Sequence, residues 1–351
     1  MSDVKEFYLG VDIGGTQTRF ALAERNGTVR RVLTDAGANY EVCGIETLEK
    51  ILSNGIQRII RETGIQAEDI KFVYYGAAGA DTETDFKLLR KVFQQVTPGP
   101  AFDFENDGLI ALKSATVDGV GMVVTCGTGN INFAVNSHGV AKRMGGLGYF
   151  SGDVLGAHHI AGDTFHAALR SKDGRGYPSI LQRLLPEALG VKQVEEVTDL
   201  ERSPENVKKT LETLFGAAGM GDGKALAITW KLVREILDIV DVFYNALFRD
   251  DTHFKLVLAG SVFKRKYPPL MTMLTHAMDQ KYAAEIVIPE HDPVVGALFY
   301  ALEAGGVDLT TDLTETIIST YMKNRVTQRA VTRKSVSSGG AAPTRLNWLT
   351  A

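Results

Sequence analysis

The chain has 351 residues, 44% of them hydrophobic and 23% charged, with a net charge of −4 and two cysteines outside any C-x-x-C pattern. Its length exceeds what one hydrophobic core usually serves, so we expect two domains, and its balanced charge excludes attraction to nucleic acid by a basic field. Without a signal segment or an apolar run of about 18 residues, we expect a cytoplasmic protein that binds neither membrane nor nucleic acid.

The first predicted unit is a strand, a glycine turn and two further strands. Phe7 to Val11 reads as an apolar strand, and "RFALAE" after the glycines alternates as a second strand. Asn26-Gly27 is a hairpin signal that precedes a third strand, "TVRRVL". A P-loop or a Rossmann fingerprint requires a helix directly after its glycines, so this unit is neither of them.

The same layout occurs a second time from Gly121. The segment "GMVVTCGTGNINFAVNSHGVAKR" again reads as strand, glycine loop, strand, turn and strand, and "IGGTQTRFAL" matches "CGTGNINFAV" without a gap. Helical patterns follow each copy, at "ETLEKILSNGIQRIIRET" and at "ALAITWKLVREILDIVDVFYNALF". We therefore predict two related α/β halves that face each other, with one glycine loop on each side of a cleft.

Two segments differ from this repeat. Residues from about 171 to 223 are polar and broken by Gly and Pro, which predicts a helical insertion in the second half. From Lys323 onwards the chain carries six Lys or Arg and no acid. We interpret this end as a partly flexible or surface-docked tail with a small apolar terminus at Leu346, Trp348 and Leu349.

The first glycine loop has the composition of a phosphate site. The backbone N–H groups of Gly14, Gly15 and Thr16, followed by Gln17, can point at phosphate oxygens because glycine permits a tight turn and a close approach. Asp12 ends the strand behind them, where a carboxylate suits a hydrated Mg²⁺. The alternative is a hairpin that simply needs glycine.

Two further turns would complete a nucleotide site. Gly127, Thr128 and Gly129 of the second copy supply another set of backbone donors, and two sets converging on one triphosphate fit a nucleotide held between domains. Gly260 and Ser261 end an apolar strand before a helix, where a base or ribose can lie close to backbone.

Two acidic residues are candidates for chemistry. Asp107, in "ENDGLIAL", stands where a short strand ends and a helix begins, so it is either a helix cap or a general base for an acceptor hydroxyl. Asp153 follows the glycines of "GGLGYFSGD". It either caps the next helix or, beside Gly145 and Gly146, accepts hydrogen bonds from a polyhydroxylated ligand.

Five motifs in this order carry a resemblance: "VDIGGTQTRFAL", "ENDGLIAL", "CGTGN", "GGLGYFSGD" and "LAGSVF". The chain resembles the N-acetylglucosamine kinase and BadF-type ATPase family of the sugar kinase, heat-shock chaperone and actin superfamily, from about Phe7 to about Gly305. The resemblance implies an α/β fold of two actin-like (ribonuclease H-like) domains, each a mixed sheet flanked by helices, with ATP in the cleft between them.

The resemblance also implies a domain division and residue roles. The division is 1–117 with a returning helix near 293–305, then 118–292, then a C-terminal extension at 306–351. Asp107 matches the catalytic base, and Asp12 the carboxylate that holds Mg²⁺ through water. The phosphate motifs contain Gly14 and Gly127, and the adenosine motif contains Gly260. The residues that we assign to the sugar site are Asn39, Ala78, Gly79, Asn106, Asp107, Asn130, Gly145, Gly146 and Asp153.

The predicted function is therefore that of a sugar kinase using ATP and Mg²⁺, acting on a small-molecule sugar and forming a homodimer. Where family amino-sugar kinases commonly read G-T-G-S-N and G-D-E-G-S, this chain reads "GTGNI" and "GDVLGA", so N-acetylglucosamine, glucosamine and related hexoses stay open. The alternative is a BadF-type ATPase that drives another protein's activity; such activators hold an iron–sulfur cluster on cysteine pairs, which we do not find here. A repressor and a non-catalytic ATP-binding scaffold are further alternatives.

Overall fold

The computed structural model describes residues 6–97, 99–127, 129–251 and 253–338, with side chains described as far as residue 326. Thr128 and the terminal residues Leu346, Trp348 and Leu349 lie outside these ranges, so the structure does not bear on the predictions made for them. Within the ranges, no helix is long and apolar enough to cross a membrane.

Strands of the described residues form two five-stranded sheets. They are β1 (Phe7–Ile13), β2 (Gln17–Glu24), β3 (Val29–Ala36), β4 (Ile70–Ala77), β5 (Ala101–Glu105), β6 (Gly121–Thr125), β7 (Ile131–Val135), β8 (Ala141–Gly145), β9 (Phe254–Ala259) and β10 (Ala284–Val287).

Helices cover these sheets. They are α1 (Tyr40–Cys43), α2 (Ile45–Thr63), α3 (Glu83–Val96), α4 (Asp107–Thr116), α5 (Ala157–Lys172), α6 (Leu181–Leu189), α7 (Pro204–Gly219), α8 (Gly223–Phe243), α9 (Ser261–Lys264), α10 (Pro268–Asp279), α11 (Val294–Ala304) and α12 (Thr311–Ser338). The predicted insertion at about 171–223 thus contains α6 and α7, with a 3₁₀ turn (Val194–Asp199) between them.

The two sheets share one topology. The first has the order β3-β2-β1-β4-β5 and the second the order β10-β9-β6-β7-β8, so β6 takes the place of β1. In both, the central strand pairs antiparallel with the strand that follows it and parallel with a later one. The predicted repeat and the predicted fold of two mixed sheets flanked by helices are confirmed.

The first sheet is packed on both faces, and for this reason all seven residues of β1 are buried. Leu9 and Val11 lie in a cluster with apolar side chains of α2 and α3. Tyr8, on the opposite face, lies in a second cluster built from α11 and α12. A strand buried on both faces reads as a nearly continuous apolar run, as "FYLGVDI" does.

Helix α11 follows the second sheet in the chain but packs on β1 and α4 of the first half. A Cβ atom on Gly10 of β1 would lie 2.7 Å from the backbone nitrogen of Leu298, and one on Gly296 would lie 1.9 Å from the carbonyl oxygen of Ile110. The backbone of α11 therefore lies in direct contact with the backbones of β1 and α4. This close packing fixes α11 against both the first sheet and α4.

Candidate active site

The facing ends of the two sheets form a cleft of about 590 Å³ that is open to solvent. It lies between the two glycine loops, where the carboxyl ends of the central parallel strands meet. Predicted site residues that line it are Asp12, Gly14, Gly15, Thr16, Gln17, Asp107, Gly127, Gly260 and Ser261. The predicted nucleotide residues are thus brought to one place, and Gly129 shapes the second loop by accepting a hydrogen bond from the Gly127 N–H (3.0 Å).

The first glycine loop is the turn that joins β1 to β2. The Gly14 N–H donates to the carbonyl oxygen of Gln17 (3.1 Å), and the Gly14 carbonyl accepts from the Ala38 N–H (3.1 Å). A Cβ on Gly15, by contrast, would meet no atom of the described residues within 4 Å beyond its chain neighbours, and the φ of Gly15 is not positive. The fold therefore does not itself require glycine at Gly15.

The second loop is joined to the turn after β9. Gly260 has a φ of +99°, and a Cβ there would lie 2.3 Å from the carbonyl oxygen of Cys126. The Cys126 N–H donates to Ala259 (2.8 Å), and the Cys126 carbonyl accepts from the Val262 N–H (3.1 Å). Glycine at Gly260 is therefore required by the fold, and it holds this turn against the second loop.

Asp107 is the first residue of α4, and of the two roles that the sequence left open for it, the structure excludes the helix cap. Asn106 caps the helix instead, because its Oδ1 accepts a hydrogen bond from the Gly108 N–H (2.8 Å). The Asp107 carboxylate is left to face the cleft. Burial, with the nearby negative charges of Asp12 and Asp81, raises the pKa of Asp107 to about 7. A carboxylate with this pKa can accept a proton near neutral pH.

Asp12 is buried at the end of β1, opposite Arg19 of β2 in the strand register. The Arg19 guanidinium donates to the Asp12 carboxylate (3.4 Å), yet burial still raises the pKa of Asp12 to about 6. No group of three His, Cys, Asp or Glu side chains within the described ranges could hold a metal ion. A single carboxylate beside the predicted phosphate loops would suit Mg²⁺, which keeps most of its water and shares substrate phosphates.

One corner of the predicted sugar site lies beside the carboxyl end of β4. Asn39 caps α1 by accepting from the Glu41 N–H (3.0 Å), and a Cβ on Gly79 would lie 2.9 Å from the Asn39 Oδ1. The Ala78 N–H donates to the carbonyl oxygen of Ile13 (2.9 Å). The structure thus places these three predicted residues at the same end of the first sheet.

A second corner belongs to the second domain, and here the structure excludes the helix cap, one of the two roles left open for Asp153. Helix α5 begins only at Ala157, and Asp153 turns back to accept hydrogen bonds from the Leu147 and Gly148 N–H groups (both 2.7 Å). A Cβ on Gly145 would lie 2.7 Å from the Asp153 Oδ1 and 2.8 Å from the Asn130 Oδ1. Asp153 therefore fixes the shape of the glycine-rich loop.

Asp81 links the two corners, and the sequence analysis missed it. Its Oδ1 accepts from the Asn106 Nδ2 (3.0 Å) of the first domain and from Arg143 (3.2 Å) on β8 of the second. A Cβ on Gly146 would lie 3.5 Å from the same oxygen, and burial raises the pKa of Asp81 to about 6. The signal was available, because Asp81 follows Gly79 in "YGAAGAD" at the end of a strand.

The cleft also holds charged residues that the motifs did not indicate. Arg19, Lys264 and Asp292 line it together with the glycine loops. Asp292 is 1% exposed, and the surrounding cations lower its pKa to about 2 even though burial opposes this shift. These groups place positive charge beside the predicted phosphate position.

Comparisons with known proteins agree with this architecture. An N-acetyl-D-glucosamine kinase of Dictyostelium discoideum is 29% identical over 317 residues, covering 86% of this chain and 99% of that protein. An N-acetylmuramic acid/N-acetylglucosamine kinase of Clostridium acetobutylicum is 24% identical over 261 residues, covering 73% of this chain and 85% of that protein.

Solved structures share the fold. A protein of Chromobacterium violaceum, provisionally assigned as an N-acetylglucosamine kinase, superposes with a TM-score of 0.67 at 21% identity, covering 85% of this chain and 99% of that one. A ROK family glucokinase of Streptomyces griseus, solved with glucose and AMPPNP, gives a TM-score of 0.53 at 16% identity over 84% and 98% of the two chains. The sequence model of one family matches residues 9–301. The chain therefore belongs to the BadF/BadG/BcrA/BcrD ATPase family and has the fold of the actin-like sugar kinases.

Proposed function

We propose that this protein is a sugar kinase that transfers the γ-phosphoryl group of MgATP to a hydroxyl of an amino sugar, N-acetylglucosamine or a close relative. The observation that carries the proposal is the cleft itself, in which the two glycine loops and the Asp107 carboxylate line one space. The names of both curated relatives support an acetylated amino sugar as acceptor.

The glycine loops support the nucleotide part of this proposal. Neither Gly15 nor Gly129 has a positive φ, and a Cβ on either would meet no described atom within 4 Å beyond its chain neighbours. Glycine at Gly15 leaves bare backbone facing the cleft, and glycine at Gly129 leaves the second loop without a side chain there. Bare backbone N–H groups are what a phosphate chain needs for close approach.

Asp107 supports the chemical step. An acceptor hydroxyl beside Asp107 would give its proton to the carboxylate while its oxygen forms a bond to phosphorus and the bond between phosphorus and the ADP oxygen breaks. Mg²⁺, held through water at Asp12, would neutralise charge on the phosphates. Arg19 and Lys264 line the same space and would add to that stabilisation.

The two polar corners joined by Asp81 would bind the sugar. Asn39 and Gly79 would contribute from the first domain, and Asn130 and Asp153, which both lie beside Gly145, from the second. Because Arg143 bridges to Asp81 across the domains, sugar binding and domain closure would be coupled and would keep water from competing as acceptor.

Sugar-stimulated ADP release from MgATP tests the function. The acceptors are N-acetylglucosamine, N-acetylmuramic acid, glucosamine and glucose, and we expect the greatest stimulation with an N-acetylated sugar. Turnover that no sugar stimulates would refute the kinase, and hydrolysis stimulated only by a partner protein would instead favour the ATPase alternative.

The pH dependence of kcat/KM is expected to show an acid limb near pH 7, because Asp107 accepts a proton only when ionised and its pKa is raised to about 7. Activity would therefore fall as the pH falls through 7. A kcat/KM that stays flat down to pH 5 would contradict this assignment.

Mg²⁺ as the activating metal, the homodimer and the cytoplasmic location stay predictions. Omission of the metal from the turnover assay tests the first, analytical ultracentrifugation the second, and cell fractionation the third.

A further inference from the structure

The C-terminal helix α12 reaches the candidate nucleotide site, although it lies beyond the residues 9–301 that the family model matches. It packs on β3 and α11, and its Ile317 and Tyr321 are fully buried. Gly27, between β2 and β3, accommodates it, since a Cβ there would lie 2.8 Å from Leu313. The helix is therefore built into the first domain.

Two side chains of α12 end on one buried carboxylate. The Tyr321 hydroxyl donates to the Asp292 Oδ2 (2.7 Å), and Arg325 approaches the same oxygen with its Nε (2.8 Å) and the Asp292 Oδ1 with a terminal nitrogen (3.3 Å). Lys264 of α9 also contacts the Asp292 Oδ1 (3.1 Å). Asp292 is thus shared between the second domain and the C-terminal helix.

Asp292 is in turn connected to the phosphate side of the cleft. Arg19 stands between two carboxylates, 3.4 Å from the Asp12 Oδ2 and 3.8 Å from the Asp292 Oδ2. Arg19, Lys264 and Asp292 all line the cleft. The position of Arg19 therefore depends on how strongly Asp292 attracts it relative to Asp12.

The charges around these two carboxylates show what α12 contributes. Asp12 and Asp292 face three cations, namely Arg19, Lys264 and Arg325. With Arg325 in place, Asp292 has a cation partner from α12 in addition to Arg19 and Lys264. Without it, a carboxylate that is 1% exposed would have to draw Arg19 and Lys264 towards itself, because an uncompensated buried charge is costly.

We propose that Tyr321 and Arg325 of the C-terminal helix are positioning residues for the nucleotide site, which hold Asp292 so that Arg19 and Lys264 remain directed at the phosphates of MgATP. The proposal rests on the proposed function only in taking this cleft as the nucleotide site. It makes the extension beyond the family-matched region a part of the active site.

The test measures the Kd for MgATP by calorimetry on the full chain, with sugar kinetics beside it. We expect Arg325→Ala to raise this Kd about tenfold, which corresponds to about 1.4 kcal/mol, and Tyr321→Phe about threefold. Arg325→Lys should stay within about threefold of wild type because it keeps a cation beside Asp292. The KM for MgATP would rise in parallel, while the KM for the sugar would change less than about twofold.

Asn324→Ala is the matched control. Asn324 lies next to Arg325 and donates to the carbonyl oxygen of Val29 (2.9 Å), so it docks the same helix without touching Asp292. A Kd unchanged in folded Arg325→Ala, or raised equally in Asn324→Ala, would overturn the proposal. If Arg325→Ala does not fold, the Kd of Tyr321→Phe for MgATP is compared instead, and an unchanged Kd would overturn the proposal. Wild type that binds MgATP but phosphorylates no sugar would overturn the proposed function alone, and wild type that binds no MgATP would overturn both.

Discussion

Replacement of Asp107 by asparagine is expected to lower kcat by a factor of about 10²–10⁴, the usual contribution of a general base. The amide cannot accept the hydroxyl proton, yet it has nearly the same shape and removes one negative charge from beside Asp12. The affinity for MgATP should therefore be unchanged or slightly higher. Steady-state kinetics with the best sugar of the panel, together with calorimetric titration of MgATP, measure both effects.

Asn106→Ala is the matched comparison for Asp107→Asn. Asn106 caps α4 and also donates to Asp81, so its loss is expected to destabilise the helix by about 1 kcal/mol and to raise the KM for the sugar. Asp107→Asn should instead leave the thermal midpoint equal or higher, because a buried carboxylate whose pKa is raised to about 7 destabilises the folded chain at neutral pH. A fall in kcat for Asn106→Ala as large as that for Asp107→Asn would mean that the geometry of the helix start, and not a proton acceptor, limits the rate.

The repeated sheet was predictable because its pattern is local. Each copy consists of a strand, a glycine loop, an alternating strand and a turn, and the antiparallel register from Phe7 opposite Glu24 to Ile13 opposite Thr18 needs only that contiguous stretch. The glycine loops were predictable for the same reason. Nearest-neighbour strands depend on turn chemistry and side-chain alternation, which can be read within about 20 residues.

The sequence does not decide which residue caps a helix when Asn and Asp are adjacent, because both are almost equally favourable at the N-cap position. In "ENDG" both are present, and the structure selects Asn106, which releases Asp107. At Asp153 the helix starts three residues later than a cap at Asp153 would place it, because the Asp153 carboxylate instead accepts from the Leu147 and Gly148 N–H groups.

Asp81 and Asp292 escaped prediction because their partners are distant in the chain. Asp81 meets Asn106 and Arg143, and the partners of Asp292 come from β2, α9 and α12. No short window contains such a set. A buried carboxylate is recognisable only once the fold has brought its cations together, and here that requires both domains and the C-terminal helix.

Replacement of Gly15 by alanine is expected to lower the affinity for MgATP about 10- to 100-fold while leaving the fold intact. A methyl group there would meet no described atom within 4 Å beyond the chain neighbours, and Gly15 has no positive φ, so the free energy of unfolding should stay equal or rise by about 0.4–1 kcal/mol. The loss in binding corresponds to one or two charge-assisted hydrogen bonds from backbone to phosphate that can no longer form at full strength.

Gly216→Ala is the control, because it should change the free energy of unfolding in the same way as Gly15→Ala without changing the affinity for MgATP. Gly216 lies on α7, is exposed, and has the same open surroundings, so alanine should give a similar gain in stability with no change in the affinity for MgATP. Urea unfolding and calorimetric titration of all three proteins give the two quantities. If Gly15→Ala binds MgATP as wild type does, the bare backbone of the first loop serves only the hairpin. The phosphate-binding backbone would then have to lie in the second loop. If it unfolds more readily instead, the glycine is there for the turn, and the physical basis for placing phosphates at Gly15 is lost.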